Sequence, residues 1–475
     1  MKSVKFKNLV FYGLGDIFGG GSFIVIGTLF LIFLTDVVGL SPTLAGLVII
    51  IGKIWDAVSD PLMGYISDNT KSRFGRRRLY FLIGIVPIFV SFSILWYPFV
   101  SSSQLSIFIY YSLAYVFFST VYTMVMVPYS ALITDMTDDY YVRTRLSGAR
   151  MMFSQISALI SGTLPKMIVD SAPDPKIGFS RMGMIFGIIY SLPWLFVFLG
   201  TWENRKGSSS RVSGNVLSVF KNRVFRVHIA MYISAYTAMD IMMALFAYYL
   251  TYYLNKENMF SVVMGAVLLT QILFLPIYVK LSNSLGSATA YRIGLSLWGF
   301  GMLMLAFMPS NSSNLLIIVD SIVIGAGLSA GVMIPWAMLP MVADVDELIT
   351  SENRAGLYSG MMTFIRKSVQ AFALFAIGIA LDLIGYVPKG VQSSRTLLGL
   401  KILTAVVPLA LIIVGILFSF RFKINPKIHK ILMTEIERLR KGESKASVSA
   451  DVKGICEAIT GISYEKLWQK PKKSK

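Results

Sequence analysis

Two aspartates, Asp56 and Asp60, stand one helical turn apart in the run Gly-Lys-Ile-Trp-Asp-Ala-Val-Ser-Asp-Pro. The apolar stretch that holds them, from Pro42 to Ile66, is long enough to cross a bilayer. Each carboxylate costs on the order of 3 kcal/mol to insert, so the pair persists where a cation, a proton or a basic partner compensates it. Sodium needs hard oxygen ligands, and carboxylates at i and i+4 can converge on one ion with a third oxygen from a neighbouring helix, for which Thr123 is a candidate. A proton can serve instead, because a buried carboxylate beside a second one loads and releases it near neutral pH. Residue types leave both ions open. A simple pair with Lys53, three residues before Asp56, is the alternative to any ion site.

The remaining charges inside apolar runs are few: Asp16, Arg150, Asp240, Asp320 and Lys367. Among these charges within apolar runs, acids dominate the first half. That asymmetry predicts a cation site built on one half, with a basic residue of the other facing it across a central cavity. Chemistry of other kinds is poorly supplied. There is no His-Glu metal motif, no Gly-x-Ser-x-Gly elbow and no phosphate-binding loop, so an enzyme is not expected. The single cysteine, Cys456, excludes an intrachain disulfide, and His228 and His429 are far apart in sequence, so no resident metal or cofactor is expected beyond the coupling ion, Na+ or H+.

The elements that must position these residues are membrane helices. A chain of 475 residues that is 55% hydrophobic and only 15% charged, with a mean hydropathy of +0.66, is too apolar for a soluble protein of this length. Its apolar runs predict about twelve spans, among them 104–131, 148–170 and 313–341. The first run carries Asp16 and no small-residue cleavage site, so it reads as a permanent helix. Lys and Arg cluster in alternate loops, which predicts both termini on the cytoplasmic side of a multi-pass protein of the cytoplasmic membrane. The net charge of +19 then faces anionic lipid head groups, and no nucleic-acid partner is required.

Organisation follows from one basic, Ser-rich connection. It predicts a six-helix bundle over 1–203, a linker over 204–223, a second bundle over 224–425, and a basic, helical tail over 426–475 that is solvated and partly mobile. An internal echo supports two parallel repeats: Val-Pro-Tyr-Ser-Ala-Leu at 127–132 is followed by Asp135 and Arg145, and Ile-Pro-Trp-Ala-Met-Leu at 334–339 by Asp344 and Arg354. Asp135 with Arg145, and Asp344 with Arg354, are expected as latches on the inner face, and the chain is expected as a monomer.

Four runs in the first half carry a likeness. Tyr-Gly-Leu-Gly-Asp at 12–16, Phe-Leu-Thr-Asp-Val-Val-Gly-Leu at 33–40, Ile-Trp-Asp-Ala-Val-Ser-Asp-Pro-Leu-Met-Gly at 54–64 and Ser-Arg-Phe-Gly-Arg-Arg-Arg at 72–78, with Ala-Asp-Val-Asp-Glu at 343–347 in the second half, resemble the glycoside-pentoside-hexuronide:cation symporters. The likeness spans nearly all of the membrane part and ends before the tail. It implies an all-α major facilitator fold in which Asp56, Asp60 and Thr123 bind the coupling cation. Lys367 falls where the family has a helix 11 lysine linking the halves, and Arg150 where it has a helix 5 arginine lining the sugar cavity. The segment with Asp68, Arg73 and Arg77 is similar to the superfamily's cytoplasmic signature, and implies gating by ion pairs that form in one state and break in the other.

Departures from the sugar-carrying members concern the solute. Their helix 1 and helix 4 aspartates, which hydrogen-bond sugar hydroxyls, are replaced by Gly20 and Met126, and neither can make those bonds. Asp16, one turn before Gly20, is the expected substitute, and Trp336 is placed with the solute-binding residues. The expected function is symport of a small solute, a sugar or glycoside, by alternating access. The apolar run Met124 to Pro128 supports a second possibility, sodium-coupled transport of a lysophospholipid or other amphiphile, with an uncoupled sensor or scramblase as a third.

Overall fold

A computed structural model describes residues 5–137, 140–203, 216–352 and 354–468. Among these, the membrane part consists of helices alone. We number them α1 (Phe6–Phe30), α2 (Pro42–Asn69), α3 (Arg78–Leu95), α4 (Gln104–Met136), α5 (Tyr140–Asp170), α6 (Pro175–Gly200), α7 (Arg223–Tyr253), α8 (Glu257–Leu285), α9 (Ser287–Phe307), α10 (Asn314–Thr350), α11 (Ala355–Leu383) and α12 (Ser394–Ser419). Eleven of them are long and apolar enough to cross a membrane. The twelfth, α5, is long enough at 31 residues, but Ser154, Gln155, Ser157, Ser161 and Thr163 make it more polar, because two of these serines bond within the bundle: Ser157 donates to the carbonyl of Ile17 at 2.6 Å and Ser161 pairs with the Tyr190 hydroxyl at 2.7 Å.

Helix ends follow local chemistry. Pro42 opens α2 at a position that needs no amide donor, Ser103 caps α4, and Asn222 caps α7 by accepting from the amides of Val224 and Phe225 at 3.0 and 3.3 Å. Two helices outrun the apolar pattern: α4 continues to Met136 and α10 to Thr350, and their polar ends pair with neighbouring loop residues, Asp135 with Arg76 and Asp346 with Arg354. Pro128 and Pro335 fall inside α4 and α10, the fourth helix of each set of six, as the internal echo requires.

Packing brings the two sets of six together along two seams. Helix α2 lies against α11, and α5 against α8. The first seam is close: a β-carbon on Gly378 would come within 2.4 Å of the Pro42 carbonyl oxygen. Within the first six, α2 meets α4 even more tightly, since a β-carbon on Gly52 would overlap the Tyr115 ring at 1.6 Å. Rings fill the interior near the end of α1, where Trp96 stacks on Phe179 at 5.7 Å and Phe30 on Tyr115 at 5.5 Å. On the outside, Val86, Leu113, Phe300 and Leu417 are exposed, as a lipid-facing surface requires.

The tail is more ordered than the sequence suggests. Helices α13 (Pro426–Arg440) and α14 (Ala450–Thr460) pack on the ends of α7 and α10, burying Leu432, Ile436, Leu439 and Cys456. Arg440 pairs with Glu347 at 2.5 Å and His429 with Asp344 at 2.8 Å. Of the expected linker, residues 204–215 lie outside the described residues.

Candidate cation and solute sites

Helix α2 places both of its aspartates as the spacing predicts, but in unlike surroundings. Asp56 is fully buried, and neither of its carboxylate oxygens has a hydrogen-bond partner. Lys53 is buried beside it, yet its ammonium stays 3.9 Å from the nearest Asp56 oxygen and sits 3.8 Å above the Phe23 ring. A close ion pair between the two is therefore not what holds Asp56. Asp60, one turn further on and partly exposed, is held by two partners: Thr123 donates to its Oδ1 at 2.8 Å, and Lys367 of α11 pairs with its Oδ2. Ser59 donates to the Thr123 hydroxyl at 3.3 Å. Pro61, which follows, removes the helical bond to the carbonyl of Ala57 and leaves that oxygen without its usual donor. Asp56, Asp60 and Thr123 thus lie within one turn of α2 and the facing turn of α4, with Lys367 reaching across from the second six.

The residues expected to hold a solute separate into three groups. Asp16 and Arg150 pair with each other at 3.1 Å, and Arg150 also lies over the Tyr129 ring and donates to Ser130 at 3.2 Å. Met126 is buried, with its methyl group against Gly19, so the side chain fills a helix contact rather than facing the cavity described next. Gly20 alone of the expected set lines that cavity. The absent side chain at Gly20 has a packing cause, since a β-carbon there would meet Ser154 at 2.2 Å.

This cavity, of about 220 Å3, lies between the two sets of six helices. Its charged residues, Asp240 and Arg366, both come from the second six, with Gln271 and Gln370 beside them. Arg366 donates to Asp240 Oδ1 at 2.7 Å and approaches Oδ2 at 2.6 Å, while Gln370 donates to Oδ1 at 3.0 Å. The guanidinium lies over the Tyr236 ring at 4.8 Å, and Tyr236 is held by Trp336, which donates to its hydroxyl at 3.0 Å. Trp336 does not line the cavity; it contacts Tyr236, on whose ring Arg366 rests. Sequence reasoning passed over Arg366 and Gln370; the signal available was the Arg-Lys doublet at 366–367 inside an apolar helix.

The expected gate pairs also rearrange. Asp68 meets Arg77 at 2.8 Å. Asp135 pairs with Arg76 at 2.9 Å and Arg77 at 3.1 Å, whereas Arg145 is exposed. Arg354 takes both oxygens of Asp346 at 2.7 Å, and Asp344 goes to the tail's His429. The left-handed turn at Ser351 brings Arg354 back along that face of α10. Arg73 lies over the Phe74 ring at 4.8 Å. Glu203, which sequence reasoning missed, accepts the amides of Arg76, Arg77 and Arg78, each at 3.0 Å, and so caps α3.

A helical membrane carrier with a cavity between two six-helix halves is the class that this architecture defines. Solved structures agree: the D-xylose-proton symporter superposes with a TM-score of 0.66 at 14% identity, covering 89% of this chain and 99% of that one, and the nucleoside transporter NupG with 0.61 at 13% identity, covering 89% and 100%. Similarity at this level concerns the fold. The chain belongs to the MFS/sugar transport protein family, whose profile matches residues 11–426. Curated relatives include an uncharacterized symporter of Bacillus subtilis (strain 168), 28% identical over 92% of this chain and 96% of the relative. A putative sulfoquinovose importer of Escherichia coli (strain K12) is 27% identical over 93% and 95%, and the sodium-dependent lysophosphatidylcholine symporter 1 of Gallus gallus is 25% identical over 88% and 87%. The chain is a multi-pass membrane transporter.

Proposed function

We propose that this transporter couples the downhill entry of a cation, sodium or a proton, to the uptake of a small hydroxylated solute of the sugar or glycoside class. The observation that carries the proposal is Asp56: a fully buried carboxylate whose oxygens have no hydrogen-bond partner, one turn from Asp60. A buried carboxylate with no hydrogen bond and its nearest cation 3.9 Å away is costly, and a cation or proton delivered to it lowers that cost. Asp60 and Thr123 supply the further oxygens, and Lys367 is the internal cation that the coupling ion displaces.

Displacement is what links the ion to the solute. Lys367 belongs to α11, the helix that also carries Arg366 and Gln370 into the cavity. Releasing it from Asp60 frees the second half to adjust to the solute and to rock against the first. With the basic loops on the cytoplasmic side, the ties between halves at the opposite face hold the outer entrance shut in the state described: Asp36 accepts from Tyr386 at 2.6 Å and from Tyr252, and Asp382 accepts from Thr43.

An amphiphile is favoured by one observation, the apolar part of the wall: Phe23, Ile24, Met243, Leu268 and Leu374. The volume of about 220 Å3 favours a compact solute at this wall, whereas the larger cavity of about 680 Å3 lined by Asp36, Lys166, Tyr252 and Lys389 keeps the amphiphile as the second reading. Uptake into proteoliposomes tests the proposal, with a sodium gradient and a proton gradient applied separately. Accumulation driven by one gradient, and lost in Asp56→Asn, is the expected result; accumulation by Asp56→Asn equal to that of the parent sinks the mechanism.

A further inference from the structure

At the basic end of the second half, three cations converge where no acid answers them. Arg223 opens α7, Arg421 and Lys423 follow α12, and all three line one shallow notch. The rest of its wall is apolar and comes from α7, from Ile424 and from the tail helix α14, which contributes Ala458 and Ile459. No carboxylate lines the notch, and among the described residues none of the three cations has an ion-pair partner. Other basic groups of the same end are spent: Arg354 on Asp346, Arg440 on Glu347 and Arg438 on Glu435. Like charges gathered at one place repel, and an anion set among them removes that cost.

The notch lies where the lipid-facing surface ends. Ile413, Leu417 and Phe420 of the last helix and its end are exposed, and the next residue is Arg421, whose guanidinium lies over the Phe418 ring at 5.5 Å. Arg292 of α9 lies over the Phe420 ring at 4.6 Å. Long basic side chains that lay their stems on aromatic and aliphatic groups mark the head-group level of a bilayer. With the basic loops on the cytoplasmic side, this is the inner leaflet. Free space in the notch is about 10 Å3, room for one water-sized atom. It admits a single phosphate oxygen and leaves the rest of the molecule on the membrane surface, as a lipid head group lies.

We propose that this notch binds the phosphate of an anionic glycerophospholipid, of the phosphatidylglycerol class, from the cytoplasmic leaflet. Arg223, Arg421 and Lys423 surround the phosphodiester, the positive end of α7 adds to their field, and the apolar wall receives the glycerol backbone. Part of that wall is peculiar to the tail. The family profile ends at residue 426, and α14 is held in place by the docking of the segments beside it, where the Trp468 amide donates to the Leu348 carbonyl at 2.9 Å and Arg440 pairs with Glu347. A lipid seated there joins α7, the end of α12 and the tail, and so fastens the tail to the second half. The net charge of +19 asks only for a negative surface; the notch asks for one lipid at one place.

The test is thermal unfolding of the purified full chain in neutral detergent, titrated with dioleoyl phosphatidylglycerol, dioleoyl phosphatidylcholine or glycerol 3-phosphate. Saturable stabilisation by phosphatidylglycerol is expected, and none by the zwitterionic lipid or the soluble phosphate over the same concentrations. Arg421→Gln and Lys423→Gln should each raise the lipid concentration for half-maximal response about fivefold, and Arg223→Gln/Arg421→Gln/Lys423→Gln about 100-fold. The three side chains are exposed, so the variants should unfold at the parent's temperature when lipid is absent; the single variants carry the comparison if the triple one does not. Lys427→Gln/Lys430→Gln/Lys441→Gln removes the same charge from exposed positions of the tail outside the notch and should shift the response far less. Ala458→Glu leaves all three cations in place but brings a carboxylate to them from α14, and should lose most of the response.

Equal shifts in the two triple variants would reduce the site to diffuse surface charge and overturn the inference. So would equal stabilisation by phosphatidylcholine, a response to glycerol 3-phosphate in the same range, which would make it a site for a soluble anion, or no response to phosphatidylglycerol at all. An undiminished response in Ala458→Glu would remove the tail from the site and sink the proposal as stated.

Discussion

Replacing Lys367 with methionine should tighten cation binding while uncoupling it from transport. In the proposed mechanism the ammonium of Lys367 and the coupling cation compete for the same carboxylate, since Lys367 pairs with Asp60 Oδ2 while Thr123 donates to Oδ1. Side-chain exposure sets the size of the effect: 21% for Lys367 and 31% for Asp60. A pair this accessible to water contributes on the order of 1 kcal/mol, well short of a sealed one. Methionine keeps the length and apolar stem, so packing along α11 changes little. Removing a competitor worth about 1 kcal/mol should lower the cation concentration for half-maximal stabilisation about fivefold. The assay is thermal unfolding of the purified protein titrated with sodium at fixed pH, and with pH at fixed sodium. Solute accumulation in proteoliposomes should fall at the same time, since the displaced group no longer carries the signal to the second half. Unchanged or weaker cation binding in Lys367→Met would refute the competition and leave the cross-half pair a structural tie only.

Asp56→Asn should leave the protein folded with its thermal stability changed by no more than about 1 kcal/mol, because the amide costs less than a carboxylate to bury while Lys53 loses its nearest counter-charge at 3.9 Å; a large drop in melting temperature would show that the pair with Lys53 is structural. Gly52→Ala should destabilise by roughly 1–3 kcal/mol, since its β-carbon overlaps the Tyr115 ring, whereas Gly148→Ala, with open space around it, should be neutral or gain up to about 1 kcal/mol; equal melting temperatures for the two variants would contradict the packing of α2 on α4. Cys456 is buried, and desolvation pushes its thiol up to about 12. The thiolate forms only as pH rises through that value, so at pH 8 about one molecule in ten thousand carries it. Iodoacetamide should therefore label Cys456 only after the tail unfolds, and rapid labelling of the native protein would show that α14 is not docked.

How much of this was legible depended on whether a residue was anomalous by itself or only in company. Asp56, Asp60 and Lys367 stand out because a charge in an apolar helix is rare, and the i, i+4 spacing fixes the shared face of α2. Arg366 was as anomalous as Lys367, but one lysine already satisfied the expectation of a basic residue facing the acids, and a doublet does not say which member faces which partner. At 100° per residue the two diverge, Lys367 to Asp60 and Arg366 to Asp240. The direction of Met126 was hidden for the same reason: residue type does not report its azimuth on α4, which points to Gly19. The pairing of Arg354 with Asp346 instead of Asp344 depends on the left-handed Ser351 that reverses the chain, and no periodicity reports such a turn. Glu203 lies after α6, far in sequence from the amides it caps. Contacts that cross between helices were illegible wherever they depended on rotation about a helix axis, and legible wherever burial of a charge exposed them.

The ties between halves are unevenly distributed along the helices, and that distribution is what makes a switch. At the end of α1, Thr35 meets the Tyr248 hydroxyl at 2.8 Å and Asp36 receives two more tyrosines of the second half. Near the same face Lys166 reaches Glu257 at 2.6 Å and Ser261 donates to the carbonyl of Thr163 at 3.0 Å. Midway down, Lys367 holds Asp60. At the opposite face the pairs of Asp135 with Arg76 and Arg77, of Arg354 with Asp346, and of the tail with Glu347 each stay within one half. Opening the first face requires several cross-half hydrogen bonds to break together, each worth only about 1 kcal/mol net. That total is small enough for bound cation and solute to offset, and large enough to keep the entrance shut without them. Among the described residues the charged link between the halves nearest their middle is Lys367 with Asp60, so in the proposed mechanism an ion bound at Asp56 and Asp60 would also govern whether the halves are free to turn.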